Sequence, residues 1–226
     1  MQGRNLIVTG AFGALGRTVV ARARAAGWRV AALDHADAAP EGFEADAIQG
    51  GVDLTDPTQA AVAVEGAVSI LGGADALVNI AGGFVWEPVD GALNDSWDRM
   101  HRMNLLTALN TTRSALPALV TSGSGRVVNI GANGAISAGM GMGAYAASKA
   151  GVHRLTEALA EEFKGRVTVN AVLPSIIDTP ANRKDMPDAD PSKWVTTDEL
   201  ASVILFLASA EAGGITGALI PVVGRV

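Results

Sequence analysis

Tyr145 and Lys149 stand four apart in Tyr145-Ala146-Ala147-Ser148-Lys149, in a stretch whose pattern predicts a helix over Ala144 to Phe163. Four residues make just over one turn, so phenol and ammonium leave the same helical face. An ammonium beside a buried phenol favours phenolate and lowers the phenol pKa from about 10 toward working pH. A tyrosine tuned that way can give or take a proton while a hydride moves elsewhere. Taken alone, the pair also reads as a surface tyrosine and a solvated lysine.

A second constellation lies near the start of the chain. Thr9-Gly10-Ala11-Phe12-Gly13-Ala14-Leu15-Gly16 follows the apolar run Leu6-Ile7-Val8 and precedes Arg17-Thr18-Val19-Val20-Ala21-Arg22. That order predicts a strand, a glycine-rich turn and a helix. Glycines permit a tight turn and a close approach to a pyrophosphate, whose charge a helix N-terminus favours. Gly10, Phe12, Gly13, Ala14, Leu15 and Gly16 are therefore expected to hold a dinucleotide. Asp34 ends the next apolar run, Trp28 to Leu33. A carboxylate there can accept hydrogen bonds from the adenosine ribose and would repel a 2′-phosphate. The expected cofactor is NAD(H), with NADP(H) tolerated through Arg17 beside the turn. A plain strand-turn-helix with a capping Asp34 is the competing reading.

These residues need elements to position them, and the rest of the chain reads as such elements. Its 226 residues suit one domain. No apolar stretch approaches the roughly 20 residues of a membrane span. The net charge of −6 without a basic run argues against a nucleic-acid partner. The absence of cysteine excludes disulfides and thiolate chemistry and fits a cytoplasmic setting. The first strand begins almost at once, which leaves no room for a signal peptide. His35, His101 and His153 have no ligand spacing and read as structural or solvated, so no metal site is expected.

Strand-like runs at Ile48–Val52, Ala76–Ile80, Arg126–Ile130, Val167–Val172 and Gly217–Val222 alternate with helical patterns. One helix opens at Asp56-Pro57, a cap followed by proline. A long one runs from about Asp95 to Leu119, and Thr196–Glu199 has capping-box spacing. This alternation predicts an α/β fold, a Rossmann-type doubly wound parallel sheet of about seven strands with helices on both faces. Residues 175–195 lack periodicity, and a loop that long is expected to be functional, as a substrate lid.

Ligands of such sheets bind at the carboxyl ends of the strands. That rule gathers Gly10–Gly16, Asp34, Asp53, Asn79, Ala81, Gly82, Ala132 and Pro174 on one edge, within reach of Tyr145 and Lys149. A dinucleotide beside a tuned acid means hydride transfer coupled to proton transfer.

With those pieces in place the chain resembles the short-chain dehydrogenase/reductase family over nearly its whole length. The resemblance rests on Thr9–Gly16, Asp34, Asp53-Leu54, Asn79-Ile80-Ala81-Gly82, Asn104, Tyr145…Lys149 and Asn170-Ala171-Val172-Leu173-Pro174. It implies a catalytic set of Asn104, Tyr145 and Lys149, with Asn104 holding a water in a proton relay and Lys149 also binding the nicotinamide ribose. It further implies Asp53 and Leu54 flanking the adenine, and Thr179, with Ile177 nearby, at the nicotinamide end. Homodimers or homotetramers are common in the family, and here the long helix and the Tyr/Lys helix would pair across a two-fold axis.

The chain departs from the family pattern at two places. Only Ala11 and Phe12 separate Gly10 from Gly13, where three residues are usual. The family serine that holds the substrate oxygen lies thirteen residues before the tyrosine, and that position is Ala132. Both departures are similar to the dihydropteridine reductase branch, as is the polar string Asp178 to Asp190 followed by Trp194. A quinonoid acceptor spreads the incoming charge, so an oxyanion serine matters less to it. Phe84, Trp86, Met140, Met142 and Trp194 are expected to line a flat pocket for a planar ring. The leading expectation is an NADH-dependent oxidoreductase acting on a small planar or quinonoid substrate. A carbonyl or alcohol oxidoreductase using Asn133, Ser137 or a backbone amide in place of serine stands beside it. So does an NADH-sensing protein that turns nothing over.

Overall fold

The strand-forming runs are buried on both faces, and this fixes the architecture. In β1 (Asn5–Thr9), Leu6 and Val8 point into one core cluster and Ile7 into another. Successive side chains of a strand alternate in direction, so a run apolar at every position must be covered on both sides. The first cluster is completed by α1 (Ala14–Ala25) and α7 (Thr197–Ala208). The second is completed by α2 (Pro57–Leu71), α4 (Thr107–Thr121) and α5 (Gly143–Glu162).

The computed structural model describes residues 3–90 and 94–225. The remaining strands are β2 (Arg29–Leu33), β3 (Ala47–Gln49), β4 (Ala76–Asn79), β5 (Gly125–Ile130), β6 (Val167–Pro174) and β7 (Leu219–Val222). They form one seven-stranded sheet in the order β3-β2-β1-β4-β5-β6-β7, every pair parallel. From β1 the chain winds outward through β2 and β3, then returns to lay β4 on β1's other edge. The strand order reverses there, which opens the crevice where such sheets bind ligands. The single-domain α/β sheet is the one expected, and among the described residues no helix is long and apolar enough to cross a membrane.

Local signals also hold. Asp56 Oδ1 accepts from the Thr58 and Gln59 amides at 2.7 and 3.1 Å, with Pro57 opening α2. Thr196 and Glu199 form the reciprocal capping box of α7.

Four expectations need correction. The strand expected over Ile48–Val52 is β3, Ala47–Gln49. Gly50 packs so tightly on the Ala36 and Asp37 carbonyls that a Cβ would clash, and Gly51 turns away with φ +69°. The long helix is α3 (Asn94–Met100), a π-helical segment His101–Leu106, and α4. The 175–195 segment is not structureless: Thr179 caps a short helix, α6 (Pro180–Asp185), and a 3₁₀ turn spans Pro191–Lys193. Finally, Trp194 offers no open ring face, being 2% exposed. It is buried at the base of this segment, its backbone against Gly224.

Candidate active site

The glycine turn is built for close backbone approach. Gly10 has φ +63°, and a Cβ on it would lie 2.7 Å from the Ala81 nitrogen. The Thr9 hydroxyl accepts from the Ile80 and Ala81 amides, 3.2 Å each, tying the loops after β1 and β4 together. A Cβ on Gly16 would clash with the Gly10 carbonyl, so α1 starts tight against the turn. The first intrahelical bond is Arg17 N–H to Gly13 O, leaving the Ala14, Leu15 and Gly16 amides as the open first turn. Asp34 reaches back to this turn: Oδ2 accepts from the Phe12 amide at 2.8 Å and Oδ1 from the Ala36 amide at 2.9 Å. Each carboxylate oxygen keeps a second acceptor direction, which suits a ribose diol. Phe12 itself is a packing residue, its ring edge-on to Phe43 at 5.2 Å. An open helix N-terminus, a cradle that a Cβ would fill and a carboxylate beyond it together fit a dinucleotide.

Farther along the same edge, Asp53 holds the loop after β3. Its carboxylate is kept below the usual range, first by the Thr55 hydroxyl. Leu54 is buried, and its carbonyl accepts from Asn110 Nδ2 at 3.1 Å. Asn79 lies in the sheet, its amide donating to Thr112 Oγ1 at 3.0 Å and Asn129 Oδ1 at 2.9 Å. It therefore ties β4 to β5 and α4 beneath the Ala81–Gly82 loop. Pro174 ends β6, and Ile177 pairs with Val195 across the base of the 175–195 segment. There Asn182 Nδ2 donates to the Ile177 carbonyl at 2.7 Å. The Thr179 hydroxyl is engaged as the cap of α6, accepting from the Asn182 amide at 3.1 Å.

Asn104, Tyr145, Lys149 and Gly82 converge. Lys149 is buried and its Nζ donates to the Ile130 carbonyl at 2.7 Å. A Cβ on Gly82 would sit 2.5 Å from Asn104 Oδ1 and 3.5 Å from Lys149 Nζ, so the glycine leaves room for both. Asn104 lies in the π-helical turn, whose wider register re-aims a side chain. Its Oδ1 accepts from the Gly83 amide at 2.9 Å, and its Nδ2 donates to the Gly83 carbonyl at 3.1 Å and to Ser148 Oγ at 2.9 Å. Ser148 Oγ in turn donates to the Tyr145 carbonyl at 2.7 Å. Both ends of the Asn104 amide are thus committed to locking the Gly83 loop onto the Tyr/Lys helix. A relay water at this residue would have to use its main chain.

The expected tuning of Tyr145 by Lys149 is not what this state shows. Burial pushes the Tyr145 phenol up to about 12 and the Lys149 ammonium down to about 8. The ammonium faces the Ile130 carbonyl instead of stabilising a phenolate, and desolvation is left to dominate both groups. The Tyr145 ring stands edge-on to Phe84 at 4.9 Å and 78°.

His153, read from the sequence as structural or solvated, is structural and stands one turn beyond Lys149. The Ala132 amide donates to His153 Nε2 at 3.3 Å, and a Cβ on Gly131 would lie 2.6 Å from that nitrogen. Lys149 and His153, spaced i and i+4, thus clamp residues 130–132 onto α5. That spacing was the available signal. Accepting this bond requires an unprotonated Nε2, and burial, with Arg154 and Lys149, lowers the imidazole pKa. A depressed histidine pKa means the unfolded chain takes up the proton first. Stability should fall as pH drops through the unfolded value of about 6.5, and level off below the folded one. We expect the wild-type melting temperature to decline from pH ~7.5 to ~5 more steeply than that of His153→Gln, whose amide oxygen can still accept. Parallel curves would remove the clamp.

A glycine-rich cradle at a helix N-terminus joined to a Tyr–Lys pair on α5 fits a dinucleotide-dependent oxidoreductase. Residues 4–190 match the model of the short chain dehydrogenase family. The 3-oxoacyl-acyl-carrier-protein reductase of Thermotoga maritima is 32% identical over 240 residues, covering 99% of this chain and 98% of that one. The D-beta-hydroxybutyrate dehydrogenase of Rhizobium meliloti is 32% identical over 186 residues, 73% of this chain and 72% of the relative. Among solved structures, the ligand-free aldohexose dehydrogenase of Thermoplasma acidophilum superposes with TM-score 0.90 at 27% identity, covering 99% of this chain and 94% of that one. This chain belongs to the short-chain dehydrogenase/reductase family.

Proposed function

We propose that the protein is an NADH-preferring reductase in which Tyr145 donates the proton that accompanies hydride transfer. The observation that carries this reading is geometric: Tyr145 and Lys149 stand four apart on α5, and Lys149 Nζ and Asn104 Oδ1 both face Gly82 at the carboxyl edge of the sheet. The chemistry a bound nicotinamide supplies is the hydride. The chain's part is to hold the pyrophosphate at residues 10–16, the adenosine ribose at Asp34 and the adenine beside Asp53 and Leu54. Asn79, Ala81 and Gly82 form the floor, Lys149 takes the nicotinamide ribose, and Pro174, Ile177 and Thr179 close the nicotinamide end under the lid. A cytoplasmic setting and a homodimer or homotetramer through α4 and α5 belong to the same reading.

Preference for NADH rests on Asp34. Its carboxylate, fixed by two backbone amides, would meet a 2′-phosphate as a like charge, a juxtaposition worth several kcal/mol. The expected kcat/KM ratio of NADH to NADPH is at least about tenfold. Equal values would sink the assignment.

The acceptor is a carbonyl or an analogous conjugated centre. Ala132 favours a quinonoid acceptor of the dihydropterin type, because such a ring needs no hydroxyl donor at that position. The relatives' carbonyl and alcohol chemistry favours a simple carbonyl. In that case Asn133 is the remaining donor: the Gly131 amide is taken by the Val172 carbonyl and the Ala132 amide by His153, and Ser137 is exposed. Loss of NADH absorbance with quinonoid dihydropterin, against ketones and quinones, separates the two. Turnover of none of them by an NADH-binding protein would support a sensor instead.

A further inference from the structure

Six of the ten large apolar side chains exposed among the described residues lie in two stretches, 84–97 and 136–140. They are Phe84, Trp86, Val89, Trp97, Ile136 and Met140. Scattered exposed apolar residues need no explanation, but a concentration of them beside reactive groups marks a binding surface. The first stretch leaves the Gly82–Gly83 loop that Asn104 grips, and the second leaves Ala132 and leads into the helix of Tyr145. The two are zipped by the Glu87 amide donating to the Gly141 carbonyl at 2.7 Å.

The glycines of Gly139-Met140-Gly141-Met142-Gly143 serve as seats for the indoles. A Cβ on Gly141 would clash with the Trp86 ring, and one on Gly143 would lie 3.2 Å from Trp97 Cζ2. Each indole is thus backed by bare backbone, while 54% of Trp86 and 42% of Trp97 remain open. Phe84, 57% exposed, stands edge-on to the Tyr145 ring, so apolar surface runs up to the proton donor. The only charged residues in 83–90 and 131–143 are Glu87 and Asp90, both acidic. In the lid, the Arg183 guanidinium is closed bidentately on Asp178 at 2.6 and 2.8 Å. A carboxylate or phosphate near Tyr145 would meet acids and no cation in these stretches.

We propose that the substrate is an uncharged aromatic carbonyl or quinonoid compound, its ring held between Phe84, Trp86 and Trp97. This deepens the reductase reading and rests on it. Aromatic rings gain from offset and edge contacts beyond the area they bury, which a saturated ring of the same size does not. A rim without cations excludes an anionic analogue through uncompensated desolvation.

The test is calorimetry on the full chain saturated with NADH. Its ligands are benzyl alcohol, the para-carboxylate of benzyl alcohol, and cyclohexylmethanol. An alcohol cannot react with the reduced cofactor, so the titration reads binding alone. Benzyl alcohol is expected to bind about tenfold tighter than either analogue. Trp86→Ala should erase the benzyl-over-cyclohexyl preference, with a thermal melt as folding control. Equal or tighter binding of the carboxylate, or no preference for the aromatic ring, overturns the proposal while leaving the reductase reading standing. Failure of NADH itself to bind overturns both. Indole burial that tracks protein concentration and ignores benzyl alcohol would assign the surface to a second copy of the chain, and also overturns it.

Discussion

Tyr145→Phe is expected to lower kcat by about 10²–10⁴-fold, the usual contribution of a positioned acid, with NADH affinity nearly unchanged. The substitution removes one oxygen. The ring keeps its edge contact with Phe84, and the helix keeps its seat, because Ala144, Ala146 and Ser148 are buried and Ser148 bonds the residue 145 carbonyl, not its phenol. A loss of turnover therefore reports the proton and not the packing. Steady-state kcat on the best acceptor, with an NADH titration by fluorescence, checks this. A variant that turns over like the wild type would move the proton's origin to solvent, leaving Tyr145 as one wall of the pocket. The pH dependence adds a constraint. Burial holds the phenol at about 12 and the ammonium at about 8, so the acid form persists across the neutral range. Reduction should show no limb near neutrality that the phenol could cause, and a fall near pH 8 would report loss of the Lys149 proton.

What could be read from the chain divides along physical lines. Buried strands announce themselves because both faces need apolar cover, and β1, β4 and β5 lie where their runs predict. The glycine turn was legible because φ +63° at Gly10 and the bare approaches at Gly10 and Gly16 are demands that only glycine meets. Helix periodicity does not see the extra residue in each π-helical turn, so Asp95 to Leu119 reads as one straight helix although Asn104 sits on the irregularity. Nor does composition show where an ammonium points. Tyr145 and Lys149 were recognisable by spacing, yet the phenol is pushed up by its own burial while Lys149 Nζ bonds the Ile130 carbonyl. His153 shows the same limit. Its spacing from Lys149 puts it on the same helical face, but what it bonds shows only when its Nε2 is found against the Ala132 amide. Trp194 looked like a pocket residue for the opposite reason: an aromatic beside a polar string invites a ligand, whereas here it is buried at the base of the 175–195 segment.

Ala132→Ser is expected to raise kcat/KM for simple ketones by about 10²–10³-fold, the inverse of losing one oxyanion donor at about 2.7–4 kcal/mol. The position is prepared for it. Ala132 is extended, with φ −157° and ψ 138°, and its backbone is already fixed by the bond to His153. The new hydroxyl needs no backbone shift, although it is 96% enclosed where alanine now sits at 4% exposure. An unpaired hydroxyl there costs about 1–3 kcal/mol of stability, so the variant should melt earlier without substrate and recover part of that when an acceptor binds. Response to the serine also separates the acceptors. A quinonoid ring already spreads its charge, so its kcat/KM should hardly move while the ketone rises, and the variant becomes less selective. If ketone reduction stays flat, a donor already occupies the oxygen's place, and Asn133 is the side chain to remove next. Should Ala132→Ser/Asn133→Ala then match Ala132→Ser alone, the oxyanion argument itself fails for this chain, and burial of Tyr145 against Phe84 must carry the selectivity.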